Sequence, residues 1–323
     1  MAKLNTKQSG ATHIPHVSIV VSLLNEEESL RELFSLINET MHRVKMSYEI
    51  IFVDDGSTDK SFEVLTALHA EYPKIIKAIR FRRNYGKSAA LSAGFKEAQG
   101  EFIITMDADL QDDPNEIPSL IEALGDSYDL VSGWKKKRHD SIIFTFPSRI
   151  ANAITSKMAG LRIHDLNCGL KVYRKIVAKE LKLYGDLYRY IPILAHQAGF
   201  RVGEKIVQHH PRKYGHSKYT VGKFYRGFLD LLTILFTAKY IRRPLHLFGV
   251  WGIISFIIGA AIDGYLSIEW FLGLTAISNR PLFLVGFLFI IIGVQFISLG
   301  LLGEMISRNN RNEEMYSIRE SLK

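Results

Sequence analysis

Asp107 and Asp109, with Gln111 two residues further on, follow the apolar run Phe102-Ile103-Ile104-Thr105 almost directly. Side chains two apart on an extended segment point the same way, so a buried strand ending in this string projects both carboxylates from one edge of a sheet. Paired oxygen ligands of that kind can hold a divalent cation against a diphosphate. Asp-x-Asp strings also arise by chance. The reading gains weight from a second acidic turn, Asp54-Asp55-Gly56-Ser57-Thr58-Asp59, behind another apolar strand at residues 48–53. Two parallel strands that end in acidic loops at one sheet edge make the crevice in which open α/β sheets take nucleotide ligands.

The elements that must position these acids are readable around them. Residues 17–23 form an apolar run, and the acids after Asn25 suit a helix start, which predicts a strand followed by a helix over 27–42. A third strand at 75–81 and a helix at 88–98 lead into the Asp-x-Asp strand, with a further strand at 130–132 and a helix at 147–158. Strands alternating with helices predict an α/β domain with a mostly parallel sheet. Residues 165–174 read as a turn and strand flanking the site, with catalytic and packing roles both open.

Other charged segments are less specific. Gly86-Lys87-Ser88 ends like a phosphate-binding P-loop, but Phe81 stands where the first glycine is required, and no G-x-G-x-x-G occurs. Nucleotide binding then rests on acids and metal, with Lys87 either reaching a donor phosphate or serving as a solvated helix-start lysine. Adjacent His209 and His210 point to opposite faces of an extended segment, which argues against a metal site. The stretch 209–219 fits better as a basic, anion-gripping loop in which Arg212 takes a phosphate bidentately, or as a surface loop drawn to lipid headgroups. Lys135 to Arg138 read as a second anion-binding loop or a solvated charge run. Arg149 lies amid Phe144, Phe146 and Ile150, an unusual setting for a plain surface residue.

The chain has 323 residues, 47% hydrophobic and 23% charged, enough for one catalytic domain and an appendage. Residues 244–262 and 281–303 carry no formal charge. Each is close to the ~20 residues that span a hydrocarbon core, and neither has the polar stripe of a soluble helix, so two transmembrane helices are predicted. The polar N-terminus lacks an apolar h-region, and no cleaved signal peptide is expected. Lys239, Arg242 and Arg243 precede the first span and Arg308 and Arg311 follow the second, whereas the loop between offers only Arg280 beside Asp263 and Glu269. The positive-inside rule puts both termini and the catalytic domain in the cytoplasm. The net charge of +8 gathers near residues 213–232, which resemble an interfacial amphipathic helix. Membrane lipids are therefore the expected partner, and no nucleic-acid-binding signature is present. The lone Cys168 excludes an internal disulfide and a cysteine-rich metal site. The predicted organisation is a polar tail (1–16), a catalytic domain (17–220), a juxtamembrane helix (221–243), two spans (244–306) and a cytoplasmic tail (307–323).

Taken in order, Asn25-Glu26, Val53 to Asp59, Arg83-Asn84-Tyr85-Gly86-Lys87, Met106 to Gln111 and Gly215-His216-Ser217-Lys218 resemble family 2 glycosyltransferases of the dolichol-phosphate mannose synthase and bacterial undecaprenyl-phosphate glycosyltransferase type. The closing Leu299-Gly300-Leu301-Leu302-Gly303-Glu304 is similar to the membrane hairpin of the bacterial branch. The resemblance implies a GT-A fold and an inverting transfer from a nucleotide-sugar donor, UDP- or GDP-linked, to polyprenyl phosphate at the inner membrane, supplying the cell envelope. It implies that Ser22, Leu24, Asn25, Glu26, Asp55, Lys87, Asp107 and Ala108 line the nucleotide site and that Asp107, Asp109 and Gln111 hold Mg2+ or Mn2+. Asp109, Lys135, Arg149 and Arg212 would be the catalytic set, with Arg149, Arg212, Ser217 and Lys218 on the acceptor. Leu24 stands where relatives often carry an aromatic residue and Ser22 where proline is frequent, which leaves the base open. A flippase or downstream transferase and a second copy of the chain are the expected protein partners. A processive polysaccharide synthase fits less well, because no Gln-x-x-Arg-Trp string is present and two spans make no channel. A non-catalytic sugar-nucleotide sensor or scaffold would have no use for the intact Asp-x-Asp-x-Gln set.

Overall fold

The computed structural model describes residues 15–136, 160–161, 163–185, 187–211, 213–214, 244–274, 280–309 and 318–322. The chain divides into two compact units, Met1–Tyr219 with Met315–Lys323, and Thr220–Glu314. In the first unit, strand β1 (Val17–Leu23) is buried on both faces, with Val17, Ile19, Val21 and Leu23 in one core and Val20 in the other. A near-continuous apolar run of this kind belongs at the centre of a parallel sheet covered by helices on both sides. Accordingly β1 pairs in parallel with β2 (Tyr48–Asp54) and β4 (Phe102–Asp107), and β2 with β3 (Ile76–Phe81). Beyond β4 lie β6 (Lys171–Arg174), antiparallel to both its neighbours, then β5 (Leu130–Trp134) and the edge strand β7 (Val202–Ile206), which runs parallel to β5.

Helices α1 (Leu30–Arg43), α2 (Ser61–Glu71) and α4 (Ile117–Leu124) bury Leu33, Ile37, Leu65 and Leu120 in one core. The opposite core takes Ala90 and Phe95 from α3 (Lys87–Glu97), Val177 from α5 (Lys175–Glu180) and Ile191 from α6 (Ile191–Gln197). From β1 the chain proceeds to β2 and β3 on one side and returns through α3 to β4 on the other. That reversal is a topological switch point, where open α/β sheets bind ligands beyond the strands' carboxyl ends. The register sets Ser22 opposite Asp107 and Leu23 opposite Asp54, so both acidic loops emerge there, as the sequence pattern predicts.

Three details depart from expectation. Helix α1 begins at Leu30, not 27, because Glu27 accepts the Lys60 N–H (2.8 Å) and Ser29 closes a turn onto the Glu26 carbonyl (3.2 Å). Strand β5 runs on to Trp134, held by its pairing with β7 through Ile206. The segment read only as a cytoplasmic tail contributes β8 (Ile318–Leu322), which runs antiparallel along β3 with Glu320 opposite Arg80. It covers a sheet edge that would otherwise expose unpaired backbone groups. The helix read at 147–158 and the juxtamembrane segment 221–243 lie outside the described residues.

The second unit is a pair of helices, α7 (Pro244–Phe271) and α8 (Pro281–Asn309). Both are long and apolar enough to cross a membrane, with mean hydropathies of 2.1 and 2.6, and only 22% and 11% of their most apolar stretches are buried. A core helix of a soluble protein would be mostly buried. The two pack through glycines seven residues apart on each: a Cβ on Gly259 would fall 2.5 Å from the Gly286 carbonyl oxygen, and one on Gly293 2.7 Å from that of Gly252. Small residues at such positions let apolar helices touch backbone to backbone.

Candidate active site

The two loops beyond β1 and β2 are stitched together by the side chains that the sequence singles out. The Asn25 N–H donates to Ser57 Oγ (2.9 Å), the Thr58 N–H to Asn25 Oδ1 (2.8 Å), and the Glu26 N–H to Ser61 Oγ (2.9 Å). Asp54 Oδ1 accepts the Ser57 N–H (2.7 Å) within the acidic turn. Asp55 reaches further, accepting the Tyr85 N–H with Oδ1 (2.7 Å) and the Gly86 N–H with Oδ2 (2.9 Å). Burial raises the Asp55 pKa, and those two hydrogen bonds offset part of the rise. Asn25 and Asp55, expected as nucleotide contacts, thus brace the loops beyond β1 and β2. Ser22 and Leu24 are half-buried beside them.

Beyond β4 the chain alternates: Asp107, Asp109 and Gln111 are partly exposed, whereas Ala108, Leu110 and Asp112 are buried. Asp109 Oδ1 accepts the Gln111 N–H (3.2 Å). Asp107 Oδ1 is ion-paired with the Lys87 ammonium, which also lies 5.3 Å from the centre of the Tyr188 ring. Burial works against both charges, but each partner stabilises the other, so the Asp107 pKa ends below its usual value and that of Lys87 above.

A second layer lies behind these acids, and sequence reasoning missed most of it. Asp112 is 2% exposed and its Oδ1 is 2.7 Å from Lys135 Nζ; burial opposes the Lys135 charge, but Asp112, Cys168 and Asp107 together outweigh it and raise its pKa. Lys135 is therefore a buried partner, not part of a solvated charge run. Lys171, also buried, donates to the Cys168 carbonyl, and burial lowers its pKa. Cys168 itself is packed, its thiol pushed up to about 12 by burial. Asp107 Oδ2 and Asp112 Oδ2 converge on Gly169, where an added Cβ would fall 2.7 Å from each. The alternation after Asp107 was the signal for Asp112: a carboxylate on the inward face must find a cation.

The acidic loop also pairs with the histidine segment. Asp112 bridges His209, the His210 N–H donates to the Gln111 carbonyl (3.0 Å), and His210 Nε2 is 3.2 Å from Asp113 Oδ2. Lys213, further along, pairs with Glu32 at 2.8 Å. Arg149, Arg212, Ser217 and Lys218 lie outside the described residues.

A mostly parallel sheet with Asp-x-Asp at its switch point defines the GT-A type of nucleotide-sugar-dependent transferase. Solved structures share the fold: glucosyl-3-phosphoglycerate synthase from Mycobacterium tuberculosis, crystallised with Mn2+, UDP and phosphoglyceric acid, superposes with a TM-score of 0.53 at 17% identity over 69% of this chain and 78% of that one. Mannosyl-3-phosphoglycerate synthase from Rubrobacter xylanophilus gives 0.53 at 13% identity, covering 68% and 73%. The profile described as Glycosyl transferase family 2 matches residues 18–182. Similarity in sequence extends much further. Dodecaprenyl-phosphate galacturonate synthase of Rhizobium johnstonii is 37% identical over 298 residues, 90% of this chain and 88% of that one. The undecaprenyl-phosphate 4-deoxy-4-formamido-L-arabinose transferase of Sodalis glossinidius is 37% identical over 296 residues, 91% and 89% of the two chains. The chain belongs to glycosyl transferase family 2 and is a glycosyltransferase.

The convergence on Gly169 has a measurable consequence. Gly169→Ala forces a methyl group against both carboxylates, and a displacement of about 1 Å in a catalytic group can cost about 100-fold in rate. A loss of that order in kcat/KM, with a folded protein, is expected. Activity within a few-fold of wild type would mean that the two acids move aside freely.

Proposed function

We propose that the protein transfers a sugar from a nucleoside-diphosphate sugar to a polyprenyl phosphate at the cytoplasmic face of a membrane. The observation that carries this reading is the 37% identity over nine tenths of the chain to two enzymes named for polyprenyl-phosphate acceptors. An alignment of that length takes in all of α7 and at least the start of α8, apolar helices that suit an enzyme whose acceptor resides in lipid.

The chemistry asks little proton transfer of the protein. A phosphate monoester has a second pKa of about 6 and is largely ionised near neutrality. One of its oxygens attacks the anomeric carbon as the bond to the donor diphosphate breaks, which inverts the configuration in a single displacement. The protein's part is positioning and electrostatics. Lys87 and Lys135 bring two ammonium groups to the carboxyl edge of the sheet. Arg149, Arg212, Ser217 and Lys218 are proposed to grip the acceptor, and Asn25, Glu26 and Asp55 to frame the nucleotide. Asp107, Asp109 and the Gln111 amide oxygen are hard donors that fit Mg2+ or Mn2+. Such an ion commonly takes one or two carboxylates and fills its shell with phosphate oxygens and water. When bound, the ion would stabilise the departing diphosphate.

Strand β8 supports the proposed topology. The chain after α8 rejoins the sheet that precedes α7, so two crossings return it to its starting side. The Lys and Arg distribution supports a cytoplasmic placement of that side. Cysteines placed singly at positions 5, 275 and 312 test it in intact cells, with the native Cys168 buried. An impermeant reagent should label only position 275; labelling of 5 and 312 instead would overturn the orientation. A flippase or a downstream transferase would then take the lipid-linked sugar.

The function itself is tested with the full-length protein in detergent, undecaprenyl phosphate and a panel of labelled UDP- and GDP-sugars. Label entering the organic phase with one donor is expected. Transfer only to water-soluble acceptors would sink the proposal.

A further inference from the structure

The acid at the end of β4 already carries a cation of the protein's own. Lys87 opens α3, and the preceding backbone is fixed because Asp55 clamps the N–H groups of Tyr85 and Gly86. From there its ammonium reaches Asp107 Oδ1, one of the two carboxylates expected to meet the divalent ion, with the Tyr188 ring alongside. The neighbouring lysines are engaged elsewhere, Lys135 with Asp112 and Lys171 with the Cys168 carbonyl. A divalent ion arriving alone must displace the Lys87 ammonium from Asp107 and then coexist with it at close range. A diphosphate changes that balance, because it offers the ammonium new anionic oxygens within the sweep of a flexible four-carbon stem.

We infer that Lys87 is an internal counter-ion that guards Asp107 until the donor's diphosphate arrives, then passes to a phosphate oxygen, so that metal and nucleotide bind as a mutually dependent pair. This rests on the reading that Asp107 and Asp109 are the metal's protein ligands. It assigns Lys87 opposite effects on its two neighbours: it weakens binding of the free ion and strengthens binding of the nucleotide. A lysine that merely supports the fold would weaken both when removed, and a lysine that only grips phosphate would leave the free ion's affinity unchanged.

Mn2+ binding to the full-length protein in detergent, followed by the loss of the free-ion paramagnetic resonance signal, separates these cases. Lys87→Met is expected to bind Mn2+ alone about tenfold more tightly than wild type. The factor by which UDP or GDP tightens Mn2+ binding should fall about tenfold, within the range usual for coupled sites. Lys87→Arg keeps a cation on Asp107 and should bind Mn2+ alone as weakly as wild type. Lys87→Met binding the free ion no more tightly than wild type overturns the inference. Should Lys87→Met fail to fold, the wild type still decides the matter through its 13C-methylated lysines, with the Lys87 signal assigned from Lys87→Arg. That signal should move when Mg2+ and nucleotide are added together and stay put with Mg2+ at concentrations that saturate only the pair; movement with such Mg2+ alone overturns it. Failure of the underlying metal reading looks different. Asp109→Ala would then bind Mn2+ with nucleotide as tightly as wild type, whatever Lys87→Met does.

Discussion

Asp109→Ala is expected to lower sugar transfer at least about a thousandfold while the protein stays folded and membrane-bound. The side chain is partly exposed on the loop beyond β4, where it accepts the Gln111 N–H at 3.2 Å. It lies outside both apolar cores, so its loss removes little packing. Electrostatic stabilisation of a leaving group by a bound divalent ion is worth several kcal/mol, and each 1.36 kcal/mol is tenfold in rate. The expected signature is therefore a collapse of kcat with a melting temperature near that of wild type, together with complete inhibition of the wild type by excess EDTA. Substantial activity in Asp109→Ala, or in wild type with the chelator, would remove Asp109 from the metal site. A large fall in melting temperature would show instead that the acid supports the fold.

The sheet was legible because β1, β2 and β4 are apolar runs, the last two ending in acids, and burial on both faces leaves such runs few other places to go. The front of the site was legible for the same reason, since a period of two marks which side chains leave the sheet together. What lies behind was not. Asp112 follows the same alternation, but its partner Lys135 comes from the end of β5, and nothing local pairs the two. Lys171 lies in the stretch 165–174, read as a turn and strand with catalytic and packing roles both open, and only the antiparallel pairing of β6 with β4 sets it opposite Thr105, two residues before Asp107. The bracing role of Asp55 was not legible, because its partners are backbone N–H groups of a distant loop, which no side-chain pattern records. Strand β8 is harder still. Its sequence Ile-Arg-Glu-Ser-Leu has little strand character alone, and the free edge of β3 decides its conformation.

Asp112→Ala is expected to cost about 3–5 kcal/mol of stability, because it leaves a buried ammonium without its counter-charge. In the ion pair with Lys135 the carboxylate side chain is 1% exposed and the lysine 12%, so water can do little to compensate. For a unit of this size that corresponds to a fall of roughly 6–20 °C in melting temperature. The more telling variant is the double replacement Asp112→Ala with Lys135→Met. Removing both buried charges is often nearly neutral, whereas breaking the pair from one side is not, so the double variant should recover most of the lost stability. The two single effects should then fail to add by several kcal/mol, as expected for groups in direct contact. Activity should not return with stability. The double variant lacks the Lys135 ammonium proposed to meet phosphate, and Asp107 loses the neighbour that shares Gly169 with it. A double variant as unstable as the sum of the singles would mean that the pair is incidental to the fold. A stable double variant with wild-type activity would mean that Lys135 serves only to neutralise Asp112, and the cation for the transferred phosphate must then be sought elsewhere in the chain.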